Sequence, residues 1–329
     1  MTQAVVELAL QHARAECEER HGAPLAESEG AAGAAPRPAA FAVYGMGKLG
    51  GEDLNFSSDI DLIFVYDEEG RTEGALDPAG DRVNRVTNHE FFTRLGERLI
   101  AFLSEPSDEG ILFRVDMRLR PEGKSGPLAR SLGAYDAYFA SQARPWEKVA
   151  YLKARRIAGD EALGRAFDDL AARFVFSDTP PAILIEELAR LKRRIDSEVL
   201  EGETRERDLK RGVGGIREIE FITSLRQLLT GAARPALRLR PTPEALDALA
   251  RAGELPEDEA ARLRDTYFFL RRLEHRLQMR AERQTYLLPE SEEDWGALAR
   301  RMGAREGGAL EAGRALRAEF QSRTQEVHE

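Results

Sequence analysis

Three aspartates stand where an apolar strand would not by itself put charge. Asp59 and Asp61 open the run "DIDLIFVY", and Asp116 lies inside the alternating stretch "ILFRVDMRLR". Successive side chains of a strand point to opposite faces, so Asp59 and Asp61 share one face while Ile60 and Leu62 turn to the other, into the core. Two carboxylates held that close repel unless a cation lies between them. Hard oxygen donors of this kind suit Mg²⁺, with Mn²⁺ as the alternative. If the stretch 111–120 pairs beside 59–66, Asp116 completes a set of three carboxylates for two ions. Such a set activates an attacking oxygen and steadies a leaving one in phosphoryl or nucleotidyl transfer. The competing reading is surface carboxylates at a strand's start, with Asp116 paired to the arginines on its own face, Arg114, Arg118 and Arg120.

The segment just before the first two aspartates, "YGMGKLGGEDLNFSS", fits phosphate chemistry. Gly45, Gly47, Gly50 and Gly51 allow backbone N–H groups to come close to a phosphate chain. Lys48 adds charge, and Ser57 and Ser58 add hydroxyls. A glycine turn alone, or an Asp-x-Asp alone, says little. The turn, the spacer, the strand-opening pair and a later lone aspartate in an alternating strand together say much more.

These residues need elements to carry them. Apolar spacing predicts a helix over 2–21, an Ala/Gly/Pro-rich linker over 23–39, and strands at 40–46, 59–66 and 111–120, the last stopped by Pro121. A polar loop is expected at 67–81 and a helix at 82–105. Beyond residue 131 only helices are expected, near 131–141, 144–157, 160–175, 181–200, 213–230, 242–252, 256–286, 291–302 and 305–326. On the helix 144–157, Lys153 and Arg155 either face the nucleotide or cap a solvated face, the structural reading being the one preferred. Glu218 and Glu220 are expected to make separate ion pairs, and "GVGG" at 212–215 to open the helix that follows. The fold class is therefore α+β: a small sheet-and-helix domain, then an all-α bundle. The divisions are 1–39, 40–158 and 159–329.

Composition narrows the chemistry. A net charge of −10 argues against a general nucleic-acid binder, whose affinity needs excess Lys and Arg. The lone Cys17 rules out a disulfide framework and a CxxC zinc site. No apolar run approaches the roughly 18 residues of a membrane span, and the N-terminus lacks the apolar region of a secretory signal, so a cytoplasmic protein without membrane or nucleic-acid partners is expected.

"GMGKLGGEDLNFSSDIDLIFVY" resembles the nucleotidyltransferase signature of the glutamine synthetase adenylyltransferase family. "FRVDMRLRPEGKSGPLARS", "RPWEKVAYLKARRIAGD", "DLKRGVGGIREIEFITSLRQLL" and "YFFLRRLEHRLQMRAERQTYLLP" resemble its later segments, so the likeness runs through almost the whole chain. It implies a catalytic fold like that of DNA polymerase β, with Asp59, Asp61 and Asp116 as metal-holding catalytic residues. Family members are bifunctional. One half attaches AMP from ATP to a tyrosine of glutamine synthetase; the other removes it with phosphate, giving ADP. For the removing reaction the resemblance implies Gly47, Lys48 and Ser58 as holders of phosphate oxygens, and Arg118 and Arg120 as candidates for binding the attacking phosphate, since a guanidinium offers a planar donor fork. A salt bridge to a nearby carboxylate is the equal alternative for both arginines. "GGIREIEF" and "SSDIDLIF" are similar to the removing half. The resemblance also implies glutamine synthetase as partner, with a PII-type signalling protein as a further one. Adenylylation by the same fold, and a non-catalytic regulatory module, are the alternatives. Only one motif set is present, so the chain is expected to be a piece of a longer enzyme or a reduced relative.

Overall fold

A computed structural model describes residues 1–26, 37–108, 110–199, 206–281, 284–305 and 307–329, with the side chains of 196–199 excepted. The chain forms two compact units. The first takes in residues 1–54 and 59–175; the second, residues 55–58 and 176–329. Among the described residues no helix is long and apolar enough to cross a membrane. Most of the expected linker, residues 27–36, lies outside the described residues.

The first unit is built on a central sheet. Arg155–Gly159 pairs antiparallel with Phe41–Gly45, which pairs antiparallel with Ile60–Tyr66. The far edge of Ile60–Tyr66 is shared by two short parallel strands, Val115–Asp116 and Ala129–Ser131. Phe41 and Val43, with Ile60, Leu62, Phe64 and Tyr66, build one buried cluster with Val6 and Leu10 of the helix Thr2–His21 and Phe91, Phe92, Leu95 and Leu99 of the helix Asn88–Ser104. On the opposite face Tyr44 meets the helix Glu161–Val175. Its hydroxyl donates to the Gly164 carbonyl at 2.6 Å, and its ring lies 4.6 Å from that of Phe167. Cover on both faces explains why 62–66 reads as an unbroken apolar run rather than an alternation. Each of these large apolar side chains contributes about 1.5–3 kcal/mol by burial.

The structure corrects several expectations. The stretch 111–120 is a strand only at Val115–Asp116. Its alternation is genuine, but the neighbouring edge is already taken by Ala129–Ser131, so the chain between them loops out. The helix expected at 82–105 begins at Asn88, where the Thr87 hydroxyl accepts from the Glu90 backbone N–H at 3.2 Å. Residues 82–83 instead form a strand with 75–76, and 70–72 form another, inside the expected loop. The expected helix 144–157 is a single 3₁₀ turn, Pro145–Glu147, and a short helix, Lys148–Leu152; Arg155–Gly159 is a strand. Its residues are good helix formers, but pairing with the buried strand Phe41–Gly45 overrides that preference.

The second unit is helical: Pro181–Val199, Ile216–Thr230, Thr242–Arg251, Glu257–Ala281, Glu292–Met302 and Ala309–His328. Its core gathers Leu209, Ile216, Leu246, Leu249, Leu270, Leu273, Leu298 and Trp295. Gly215 caps the helix Ile216–Thr230, as the "GVGG" reading expects.

Candidate active site

Register places the acids. In the parallel pairing of Ile60–Tyr66 with Val115–Asp116, Asp61 stands directly opposite Asp116. Parallel neighbours in register present their side chains to the same face, so these two carboxylates lie side by side. Asp59 precedes the first strand residue, Ile60, by one position. Ile60 N–H donates to the Arg114 carbonyl at 2.9 Å, which ties that position to the neighbouring strand.

The glycine turn meets the same point. It contains one helical turn, Gly47–Gly50, and the Met46 N–H donates to the Asp61 carbonyl at 2.8 Å. Gly47 has φ +51°, and a Cβ built there would stand 2.9 Å from Asp61 Oδ2. Only a residue without a side chain lets that carboxylate lean over the turn. Gly50 answers a different need: a Cβ there would fall 1.9 Å from the Lys153 carbonyl oxygen. Arg155 closes the turn by donating to the Leu49 carbonyl at 2.9 Å and the Gly50 carbonyl at 3.1 Å. Its structural reading holds, on a strand rather than a helix.

Two arginines sit on the outer carboxylates. Arg114 Nε donates to Asp59 Oδ1 at 2.5 Å. Arg118 Nε donates to Asp116 Oδ2 at 2.7 Å, its Nη2 bonds the same oxygen, and its backbone N–H donates to Oδ1 at 2.8 Å. Burial pushes the Asp116 carboxyl up, but these bonds and the Arg118 charge outweigh it and hold the group below the usual carboxylate range. Among the described residues no three Asp, Glu, His or Cys side chains converge on a point where they could hold a metal ion. The donor chemistry nonetheless fits a hard divalent cation: three carboxylates, two of them in register, each outer one already bound to a positive group. A cation there would compete with Arg114 and Arg118 for oxygens that both now occupy.

The remaining expected residues divide. Gly45 ends the strand Phe41–Gly45, where a Cβ would press within 2.8 Å of Leu49. Lys48 is the second residue of the helical turn, next to Gly47. Ser57 and Ser58 fall in the segment 55–58, which belongs to the second unit. Ser58 is buried, and its hydroxyl has no hydrogen-bond partner among the described residues. Arg120 is engaged elsewhere: it donates to the carbonyls of Met117, Lys124 and Gly126 at 2.8, 3.1 and 3.1 Å and so folds the 117–126 loop on itself. Neither equal alternative, phosphate ligand or salt bridge, describes that geometry. Arg114, which the sequence reading gave no role of its own, is the partner of Asp59; its place next to Asp116 in the alternating stretch was the available signal. In the second unit Glu218 does make an ion pair, with Lys192 at 3.6 Å, and accepts the Gly214 N–H at 3.1 Å.

Comparison with known proteins adds a frame. The family model described as "Glutamate-ammonia ligase adenylyltransferase" matches residues 1–170, just over half of the 329-residue chain. The model described as "GlnD PII-uridylyltransferase" matches residues 185–329. Proteins named bifunctional glutamine synthetase adenylyltransferase/adenylyl-removing enzyme are similar to most of the chain. The one from Stenotrophomonas maltophilia (strain K279a) is 42% identical over 93% of this chain and 31% of its own length. The one from Ralstonia nicotianae is 42% identical over 89% of this chain and 31% of its own, and the one from Pseudomonas putida 42% identical over 87% and 28%. The chain thus spans about a third of the length of the curated relatives it matches.

Proposed function

The chain belongs to the glutamate-ammonia ligase adenylyltransferase family, and on that footing we propose that it is a nucleotidyltransferase that removes AMP from an adenylylated tyrosine of glutamine synthetase by phosphorolysis. The observation that carries the reading is the register of Asp61 against Asp116 beside the side-chain-free Gly47. The direction rests on the form of "GGIREIEF" and "SSDIDLIF", which is similar to the adenylyl-removing half of the family. The first unit is taken as a nucleotidyltransferase fold of the polymerase β kind, which the shared sheet edge and its strand-opening carboxylates support. The match of residues 185–329 to the uridylyltransferase description supports a PII-type protein as a regulatory partner.

In this reading an oxygen of inorganic phosphate attacks the α-phosphorus of the AMP–tyrosine linkage. A bond forms from that oxygen to phosphorus, the bond to the tyrosyl oxygen breaks, and ADP and free tyrosine result. Asp59, Asp61 and Asp116 are the residues that would hold Mg²⁺. When bound, such ions lower the charge on the attacking oxygen and stabilise the leaving one. Gly47 keeps the approach to Asp61 open. Arg118, about two-thirds exposed and swung onto Asp116, is long enough and free enough of packing to transfer its fork to a phosphate.

The test is incubation of the protein with AMP-modified glutamine synthetase, Mg²⁺ and phosphate. ADP release supports the proposal. No ADP, together with ATP-dependent AMP labelling of the unmodified enzyme, reverses the direction, and neither reaction leaves a non-catalytic module.

A further inference from the structure

Arg155 opens the strand Arg155–Gly159 and stands opposite Gly45 in the pairing with Phe41–Gly45. Its donors all turn onto the glycine turn of the same unit. Nη2 donates to the Leu49 carbonyl at 2.9 Å and Nε to the Gly50 carbonyl at 3.1 Å, while Nη1 lies 3.5 Å from Glu52 Oε1. A guanidinium engaged on every nitrogen has no donor fork left for a phosphate. Proximity to a glycine turn and clustered carboxylates thus does not make Arg155 a phosphate ligand.

The turn needs that hold. Gly47–Gly50 is a single turn of helix, too short to be stable by itself, and its last carbonyls have no partner within it. A basic side chain beyond the C-terminal end satisfies them. Glu52, just after the turn, stands at φ +62°, a conformation that a residue with a side chain keeps only where its surroundings fix it. Arg155 is one of those surroundings. The other end of the turn meets the carboxylate. Met46 N–H donates to the Asp61 carbonyl at 2.8 Å, and a Cβ on Gly47 would stand 2.9 Å from Asp61 Oδ2. There is no slack between the two ends, because Gly50 is pressed against the Lys153 carbonyl, where a Cβ would fall 1.9 Å from the oxygen. The turn is therefore a short rigid piece, clamped at one end by Arg155 and lying against Asp61 at the other.

We propose that Arg155 is a positioning residue for Asp61, acting through the glycine turn that it clamps. The proposal rests on the reading of Asp61 as a holder of divalent cations. Its effect is on where one carboxylate stands, so it is read in metal affinity and turnover, with the KM for phosphate unmoved.

The test is titration of the full chain with Mn²⁺ by calorimetry, with melting curves and ADP release from AMP-modified glutamine synthetase alongside. Arg155→Met keeps the apolar stem and loses the donors. It is expected to raise the Mn²⁺ dissociation constant by about tenfold or more, the usual consequence of losing an outer-shell partner, and to lower kcat at unchanged KM for phosphate. Arg155→Lys keeps the charge but not the fork, so it should raise the constant by less, about threefold. Leu10→Ala, a core change in the same unit, should lower the melting temperature without moving the Mn²⁺ constant. The proposal falls if Arg155→Met binds Mn²⁺ as the unaltered chain does, or weakens it no more than Leu10→Ala does. A raised KM for phosphate at an unchanged Mn²⁺ constant would also overturn it, by making Arg155 a phosphate ligand. Should Arg155→Met not fold, Arg155→Lys decides alone by the same comparison. Asp61→Asn separates the two layers. Unchanged Mn²⁺ binding in that variant shows that the metal reading has failed and takes the proposal with it, whereas weakened binding there with normal binding in Arg155→Met overturns the proposal alone.

Discussion

Gly47→Ala isolates the contact that distinguishes this glycine turn from an ordinary one. Gly47 sits at φ +51°, so alanine there pays the left-handed penalty of about 1–2 kcal/mol. It also places a methyl carbon 2.9 Å from Asp61 Oδ2, closer than real Cβ contacts come. Either the carboxylate moves or the turn does, by a few tenths of an ångström or more. Gly80→Ala is the matched control: its φ is +88°, and a Cβ there meets nothing within 4 Å. Both variants should melt a few degrees lower by a similar amount. Only Gly47→Ala should lose activity, by about a hundredfold, the scale of a displacement approaching 1 Å at a reacting centre. The assay is ADP release from AMP-modified glutamine synthetase at saturating Mg²⁺ and phosphate, with melting curves on the same samples. If Gly47→Ala releases ADP as fast as Gly80→Ala does, the crowding of Asp61 over the turn has no catalytic meaning.

Other outcomes follow from the same geometry. Asp61→Asn and Asp116→Asn should each cut turnover by about a thousandfold while folding normally, since they remove charge rather than packing; kinetics with far-ultraviolet circular dichroism on both variants checks this. Arg120→Ala should cost about 1–3 kcal/mol of stability in denaturant melts, through three lost carbonyl bonds, and leave the KM for phosphate unchanged. Arg118→Ala should raise the KM for phosphate. It should also change the pH dependence of stability, because Arg118 holds the Asp116 carboxyl below its ordinary value of 3.8. A depressed folded-state value stabilises the fold above the unfolded value and is lost as pH falls through the folded one. The stability gap between the unaltered chain and Arg118→Ala should thus be full near neutral pH and close below about pH 4; a gap that persists in acid would contradict the pairing.

The carboxylates were legible because a period-two reading of "DIDLIFVY" needs no knowledge of the rest of the fold. Their partner Asp116 was legible for a less secure reason. The alternation of 111–120 suggests ten paired residues, and only two are paired, although the pair includes Asp116 itself. Edge sharing between Val115–Asp116 and Ala129–Ser131 is a long-range outcome that local pattern does not carry. Arg155–Gly159 was hidden for the same reason: "KVAYLKARRIAG" has helix-forming composition, and its strand exists because the edge of Phe41–Gly45 needs a partner. Arg120 shows the reverse error. An arginine near acids invites a charge-pairing or phosphate role, yet loop carbonyls satisfy its donors first.

The place where direction could be set is equally instructive. Phosphorolysis and adenylylation both pass through displacement at the α-phosphorus, with an oxygen entering on one side and an oxygen leaving on the other. Carboxylates that hold cations at that atom serve either sense, by microscopic reversibility, and cannot select one. Selection must lie in what receives the remaining phosphate: a free phosphate that attacks, or the pyrophosphate that departs from ATP. Of the two arginines on the carboxylates, Arg118 is the more exposed, and it is the group we propose for that role. With the proposed cation on Asp116, release of Arg118 would be coupled to cation binding, because both would compete for the same oxygens. A site of this build would therefore bind phosphate better once a divalent cation is present than without one. Measuring phosphate affinity with and without Mn²⁺, in the unaltered chain and in Arg118→Ala, puts that coupling on a number: it should be present in the first and largely gone in the second, and equal coupling in both would remove Arg118 from the selection of direction.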